Sequence, residues 1–269
     1  VSVVFLASYP RSGNTWARVL LYHALWGAGA QPSTRQIAER FPDLHVPGEA
    51  DASLAAHPGG RAVIKTHLPW SADHPHGPAA VASILLVRNP RDVLLSCLNF
   101  HRVLETKVKD RRTGRDAPMQ PIDYARHFIA QGGDPVWMHE GFATWADNCR
   151  TWLGAPFPNL VVRYEDMLDD PGAQLARMLE HLGESPDPAL IARAVGASSF
   201  EQMRAMEVRE KAGAPTKNPF FGGTGKTIRK GIYFMDKARR GSRLEEIAPG
   251  LDDAFDARFG EAMGEFGYA

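Results

Sequence analysis

Four stretches of the 269-residue chain are almost continuously apolar and of strand length: VSVVFLAS (1–8), RAVIKT (61–66), SILLVR (83–88) and NLVVRY (159–164). A strand with one wet face alternates apolar and polar residues, so unbroken runs predict strands covered on both faces. Between them, helix-type spacing of apolar residues covers Thr15–Trp26, Ser33–Phe41, Arg91–Val103, Val136–Leu153 and Gly172–Leu182. Strands alternating with helices imply right-handed crossovers and an α/β fold, a central, mostly parallel sheet flanked by helices. The C-terminal LDDAFDARFGEAMGEFGY reads as one amphipathic helix with a short tail.

In such sheets ligands sit at the carboxyl ends of the strands. Three of the four runs end there in polar clusters: SYPRSGNT, KTH and RNPRD. In SYPRSGNTW (8–16) a strand hands small polar residues, Gly13 and Arg11 to the start of a helix. Unpaired N–H groups and the positive end of the helix dipole make that start a seat for an anion. It is not the common nucleotide loop G-x-x-x-x-G-K-[ST], because Gly13 stands alone. GGTGKT (222–227) is a near miss of that loop, with Phe220 at the position of its first glycine.

KTHLP (65–69) puts Lys65 and His67 on one face if the strand persists, a fixed cation beside a titratable base. VRNPRDVLLS (87–96) reads strand, turn, helix, with the Arg88 fork and the Ser96 hydroxyl suited to a phosphate. IRKG (228–231) adds two cations, Arg229 and Lys230, and Gly231, whose backbone can approach an anion closely. Together these suggest a ligand with two separate phosphates. Residues 105–121 and 209–227 lack apolar periodicity and read equally as lids or as solvated loops.

Composition narrows the partners. The chain is 44% hydrophobic and 23% charged with a formal net charge of +0, which excludes a broadly basic nucleic-acid surface and leaves local clusters as the anion sites. Its length suits a single domain, residues 1–269. Two cysteines, Cys97 and Cys149, have no metal-ligand spacing and read as buried thiols in a reducing compartment. No run approaches the ~18 apolar residues of a membrane span, and the chain opens in a strand without a charged, cleavable leader. A soluble, cytoplasmic protein with no membrane or nucleic-acid partner is expected, either monomer or homodimer.

These segments, joined in order by RYEDM (163–167), SSFEQM (198–203) and RKG (229–231), resemble the sulfotransferases that use 3′-phosphoadenosine 5′-phosphosulfate (PAPS), over nearly the whole chain. The resemblance implies a P-loop-like α/β sandwich and PAPS as cosubstrate, with no metal. It implies that Arg11, Ser12, Gly13, Asn14 and Thr15 hold the 5′-phosphosulfate and that Trp16 lies against adenine. Arg88, Ser96, Arg229, Lys230 and Gly231 would hold the 3′-phosphate, and Tyr164, Ser198 and Phe200 would complete the adenosine pocket. His67 would take the proton of a small hydroxyl (or amine) acceptor, while Lys65 and Arg11 stabilise the sulfuryl group and departing phosphate.

Two departures stand out. The best-known members carry lysine where this chain has Arg11, which keeps the charge but offers a wider, rigid fork. Their pattern after RKG continues Gly-x-x-Gly-x-Trp-Lys, whereas this chain reads GIYFMDKARRG. Phosphoryl transfer by a nucleotide kinase, and non-catalytic binding of adenosine bisphosphate, are the rival readings. The kinase lacks its Walker lysine, with Asp92 and the Glu165–Asp166 pair as its nearest magnesium carboxylates, and mere binding needs no base such as His67.

Overall fold

A computed structural model gives the fold and describes residues 1–27, 31–55, 59–109, 116–212, 220–236 and 240–268. In chain order the elements are β1 (Ser2–Ser8), α1 (Asn14–Leu25), α2 (Thr34–Arg40), α3 (Glu49–Ala55), β2 (Arg61–Thr66), β3 (Ala80–Val87) and α4 (Pro90–Val103). A short strand pair, β4 (Lys107–Lys109) and β5 (Asp116–Pro118), is followed by α5 (Pro121–Gln131), α6 (Pro135–His139), α7 (Trp145–Leu153) and β6 (Asn159–Arg163). Helices α8 (Tyr164–Asp169), α9 (Pro171–Leu182), α10 (Pro188–Ala197), α11 (Phe200–Lys211), α12 (Gly225–Arg229) and α13 (Leu251–Glu265) complete the chain. The described residues group into two compact units, Val1–Arg88 with Gly141–Met203 and Asn89–Glu140 with Arg204–Ala269.

The first unit is built on a four-stranded sheet in the order β2-β1-β3-β6, parallel at every pairing. The four apolar runs are these four strands, and Val3 to Ala7 of the central β1 are fully buried, as a strand covered on both faces requires. Helix α1 packs against α9 and α10, and α7 lies against β1 and β3. From β1 the chain leaves toward β2, and from β3 toward β6. The carboxyl ends of β1 and β3 therefore form a topological switch point, the place where open α/β sheets bind ligands.

One predicted element is corrected. The helix expected over Val136–Leu153 is two helices, α6 and α7. Gly141 and Ala143 between them adopt φ 88° and 62°, which an α-helix cannot carry, and the Thr144 hydroxyl then caps a new helix by accepting from Asp147 N–H at 3.0 Å. The GGTGKT stretch forms no phosphate loop: Thr224 caps the five-residue α12, and Lys226 reaches toward Glu105 at 3.9 Å.

In the second unit α13 packs on α4 and α5, with the Phe128 and Phe259 rings stacked at 5.9 Å. Asp134 is buried and accepts from the Tyr124 hydroxyl at 2.6 Å and from His101 Nε2 at 2.8 Å. Glu207 and Lys211 of α11 form a fully buried ion pair at 2.6 Å. Glu207 also accepts the Phe234 and Met235 N–H groups at 2.7 and 2.8 Å. Of the two irregular stretches, residues 110–115 and 213–219 lie outside the described residues. Among the described residues no helix is long and apolar enough to cross a membrane.

Candidate active site

The turn from β1 into α1 departs from ordinary backbone geometry at two residues, Arg11 with φ 69° and Gly13 with φ 100°. A positive φ is uncommon for a residue other than glycine and is found at tight turns and at strained functional sites. Gly13 has a further reason to be glycine, since a Cβ there would come within 2.7 Å of the Tyr164 ring. The N-cap residue of the twelve-residue α1, Gly13, makes no side-chain cap, and the first N–H groups of a helix have no intrahelical acceptor. Ser12 Oγ, buried beside them, has no hydrogen-bond partner among the described residues. The Asn14 amide donates to Leu6 O at 3.1 Å and to Ser8 Oγ at 3.2 Å, tying the helix start to the end of β1.

His67 follows β2, next to that turn. Its Nδ1 lies 2.8 Å from Ser8 O and 3.2 Å from Ser8 Oγ. A carbonyl only accepts, so Nδ1 carries the proton and Nε2 keeps its lone pair. Burial pushes the imidazole well below its usual pKa, and the neighbouring Lys65 charge pushes the same way, which keeps the ring neutral at physiological pH. The backbone here is fixed by the Asn148 amide, which donates to His67 O at 2.8 Å, and by Trp152 Nε1, which donates to Leu68 O at 2.9 Å. Phe142 packs on both His67 and His45, with centroids 5.9 and 4.6 Å apart.

Lys65 is buried, and its ammonium is 2.8 Å from Asp43 Oδ2. The cation expected from KTHLP is thus already held by a carboxylate. Burial lowers the Lys65 pKa, Asp43 opposes that, and the outcome is about 8.

On the other side of the α1 start, Trp16 Nε1 donates to Ser198 O at 2.9 Å, and the Trp16 and Tyr164 rings meet edge to face at 6.0 Å. The Arg88 guanidinium lies 4.1 Å from the Tyr164 ring centroid and donates to Arg11 O at 3.1 Å. Ser198 Oγ is buried and has no hydrogen-bond partner among the described residues. The first unit therefore gathers Arg11 to Trp16, Lys65, His67, Arg88, Tyr164 and Ser198 around the ends of β1, β2 and β3, with Phe200 opening α11.

A family model described as a sulfotransferase domain matches residues 2–267, nearly the whole chain. The chain belongs to the sulfotransferase family. Among similar curated proteins, a flavonol 4′-sulfotransferase of Flaveria chlorifolia is 27% identical over 276 residues, covering 98% of this chain and 80% of the relative. Sulfotransferase 1C2 of Rattus norvegicus is 23% identical, covering 97% and 83%. The fold matches a solved mouse sulfotransferase, SULT7A1, complexed with PAP, at TM-score 0.63 and 19% identity, covering 98% of this chain and 85% of that one. It also matches a retinol dehydratase solved with androsterone and the inactive cofactor PAP, at TM-score 0.63 and 20% identity, covering 96% and 80%. The expected α/β sulfotransferase fold is the fold observed.

The remaining predicted residues of this sulfotransferase lie in the second unit. Ser96 is half-buried on α4, and Arg229, Lys230 and Gly231 are exposed at the end of α12. Gly231 has φ 71°, and Lys230 Nζ is 2.7 Å from Glu105 Oε1. Trp70 belongs to an aromatic cluster with Phe5, His74, Trp152 and Phe157, and Phe128 is fully buried. Phe142 lies against His67. Sequence reasoning missed Asp43, His45 and Asn148. Each lies remote in sequence from KTHLP, and none carries a motif of its own.

Proposed function

We propose that this sulfotransferase moves a sulfuryl group from PAPS to a hydroxyl, or an amine, of a small organic acceptor, with His67 as general base. One observation carries the assignment: Ser8 O fixes the His67 proton on Nδ1, so a neutral Nε2 stands ready beside an uncapped helix start. The donor set fits a phosphosulfate, because among the described residues two buried hydroxyls, Ser12 Oγ and Ser198 Oγ, lack hydrogen-bond partners, and Gly13 lets the turn pass against the Tyr164 ring where a Cβ would collide. The solved neighbours with PAP support the same cosubstrate.

PAPS supplies an activated sulfuryl group on a good leaving phosphate. His67 Nε2 takes the acceptor's proton as the new O–S (or N–S) bond forms and the S–O bond to the 5′-phosphate breaks, leaving adenosine 3′,5′-bisphosphate. Arg11 and the α1 N–H groups bind the phosphosulfate and stabilise the charge that grows on the leaving oxygen. Lys65 contributes positive charge at the transferred group. Trp16, Tyr164, Ser198 and Phe200 receive the adenosine. Arg88, Ser96, Arg229, Lys230 and Gly231 are assigned to the 3′-phosphate on the family order of their segments. Residues 1–269 are taken as one sulfotransferase domain, since one family match runs through both units. The buried thiols of Cys97 and Cys149 support a reducing, cytoplasmic setting.

Incubation with radiolabelled PAPS and a panel of phenols, alcohols and amines tests the activity. Label is expected on at least one acceptor. No transfer across the panel, together with phosphoryl transfer from labelled ATP, would overturn it.

The second phosphate gives a separate expectation. Adenosine 3′,5′-bisphosphate should bind at least about tenfold more tightly than AMP, because a single charge-assisted hydrogen bond is worth about 1.5–3 kcal/mol. Lys230→Ala should narrow that gap. Its present partner, Glu105, is a solvent-exposed ion pair whose loss matters little to folding. Calorimetry that finds equal affinities for the two nucleotides in the parent protein refutes the two-phosphate site.

A further inference from the structure

We propose that Asp43 is a positioning residue for sulfuryl transfer, holding the Lys65 ammonium beside His67 through a segment, residues 42–45, laid along the end of β2. The inference rests on the reading of Lys65 and His67 given under Proposed function. Lys65 N–H donates to Pro42 O at 2.9 Å and Leu44 N–H donates to Lys65 O at 3.0 Å, so Asp43 pairs with Lys65 as a one-residue parallel bridge. That pairing sets Asp43 Oδ2 at 2.8 Å from Lys65 Nζ. Asp43 is itself held: its N–H donates to Glu49 Oε1 at 3.0 Å, and its Oδ1 accepts from His45 N–H at 3.0 Å.

Two residues further on, the same segment reaches His67. His45 Nε2 accepts the His67 backbone N–H at 2.8 Å, and the two rings stack at 5.5 Å with 17° between their planes. An Nε2 that accepts is unprotonated. Burial and the Lys65 charge lower the His45 pKa to about 4, so this contact persists across the neutral range. One short segment, residues 42–45, thus sets both members of the Lys65–His67 pair.

The charged groups around Lys65 come from several elements: Arg18 of α1, Asp43, Glu49 of α3, and the His45 and His67 rings. Burial and Arg18 favour the neutral amine, whereas Asp43, and more weakly Glu49, favour the ammonium. Removing the Asp43 charge while keeping its shape should therefore release the ammonium and let it lose its proton at lower pH.

The experiment is a set of pH profiles of kcat for the parent enzyme, Asp43→Asn, Asp43→Glu and Lys65→Arg, with PAP affinity measured alongside. The parent should lose activity as pH rises through about 8, where Lys65 deprotonates. In Asp43→Asn that alkaline limb should move down by about one pH unit or more, with little change in PAP affinity, and Asp43→Glu should restore much of it. In Lys65→Arg the limb should vanish, because a guanidinium does not titrate in this range. An unmoved limb in a folded Asp43→Asn enzyme overturns the proposal. If that variant does not fold, a limb near the parent position that persists in Lys65→Arg overturns it instead. Parent-level turnover in His67→Ala would sink the transfer reading itself, which is a different result from either.

Discussion

Replacing His67 with alanine is expected to lower kcat by about 10²–10⁴-fold, the usual cost of losing a positioned general base. Affinity for adenosine 3′,5′-bisphosphate should stay close to that of the parent, since the anion contacts assigned above lie on Arg11 and the α1 start rather than on the imidazole. The size of the effect follows from the tautomer. With Nδ1–H committed to Ser8 O, the ring has one basic nitrogen to offer, and alanine removes it with no neighbouring base in the same geometry. His45 cannot substitute, because its Nε2 is occupied by the His67 backbone N–H. The pKa direction adds a signature. A ring held well below its ordinary value gains its proton only in acid, so the acid limb of the parent profile should fall below pH ~6.5, the unperturbed imidazole value. Steady-state kinetics with titration of the bisphosphate measures both quantities. Unchanged kcat in the variant would remove His67 from the mechanism.

The largest effect on folding should come from Glu207→Ala. Glu207 and Lys211 are both fully buried, and Glu207 also satisfies two backbone N–H groups, those of Phe234 and Met235. Removing one member of a buried pair typically costs about 3–5 kcal/mol. The two N–H groups lose their acceptor at the same time. Glu207→Gln keeps the shape and an acceptor, so its loss should be smaller. Tyr233–Asp236 lies one residue beyond Arg229–Gly231, and two further contacts hold it: Asn99 Nδ2 donates to Tyr233 O at 2.8 Å, and Arg204 Nη2 donates to Asp236 O at 2.8 Å. Denaturant unfolding of the parent and both variants tests this, and a loss below about 1 kcal/mol in Glu207→Ala would show that the pair contributes only as much as an exposed one.

The four sheet strands were legible because each is a continuous apolar run, a pattern that only a doubly covered strand requires. The strand–turn–helix across Arg11 to Trp16 was legible for a related reason: consecutive residues make it, so the pattern is written in one place. Asp43 was not, because its role comes from a backbone bridge to a residue 22 positions away, and the intervening α3 leaves no periodic trace of that register. Helix α11, FEQMRAMEVREK, was hidden differently. Its buried residues include Met203, Met206, Glu207 and Lys211, so a buried ion pair erases the apolar stripe by which a packed helix is recognised. The single helix expected over Val136–Leu153 shows the opposite failure, where apolar spacing continued across a turn that Gly141 and Ala143 impose on the backbone.

Each compact unit carries one cysteine, Cys149 on α7 in the first and Cys97 on α4 in the second, and both side chains are fully buried. Burial pushes the Cys149 thiol well above its ordinary pKa, so almost none of it is thiolate, the form that reacts with alkylating reagents. Modification at either position then has to wait for the surrounding structure to open. The chain thereby contains its own pair of clocks: the alkylation rate at Cys149 times the opening of the sheet unit, and that at Cys97 times the opening of the helical one, with no label to be engineered into either.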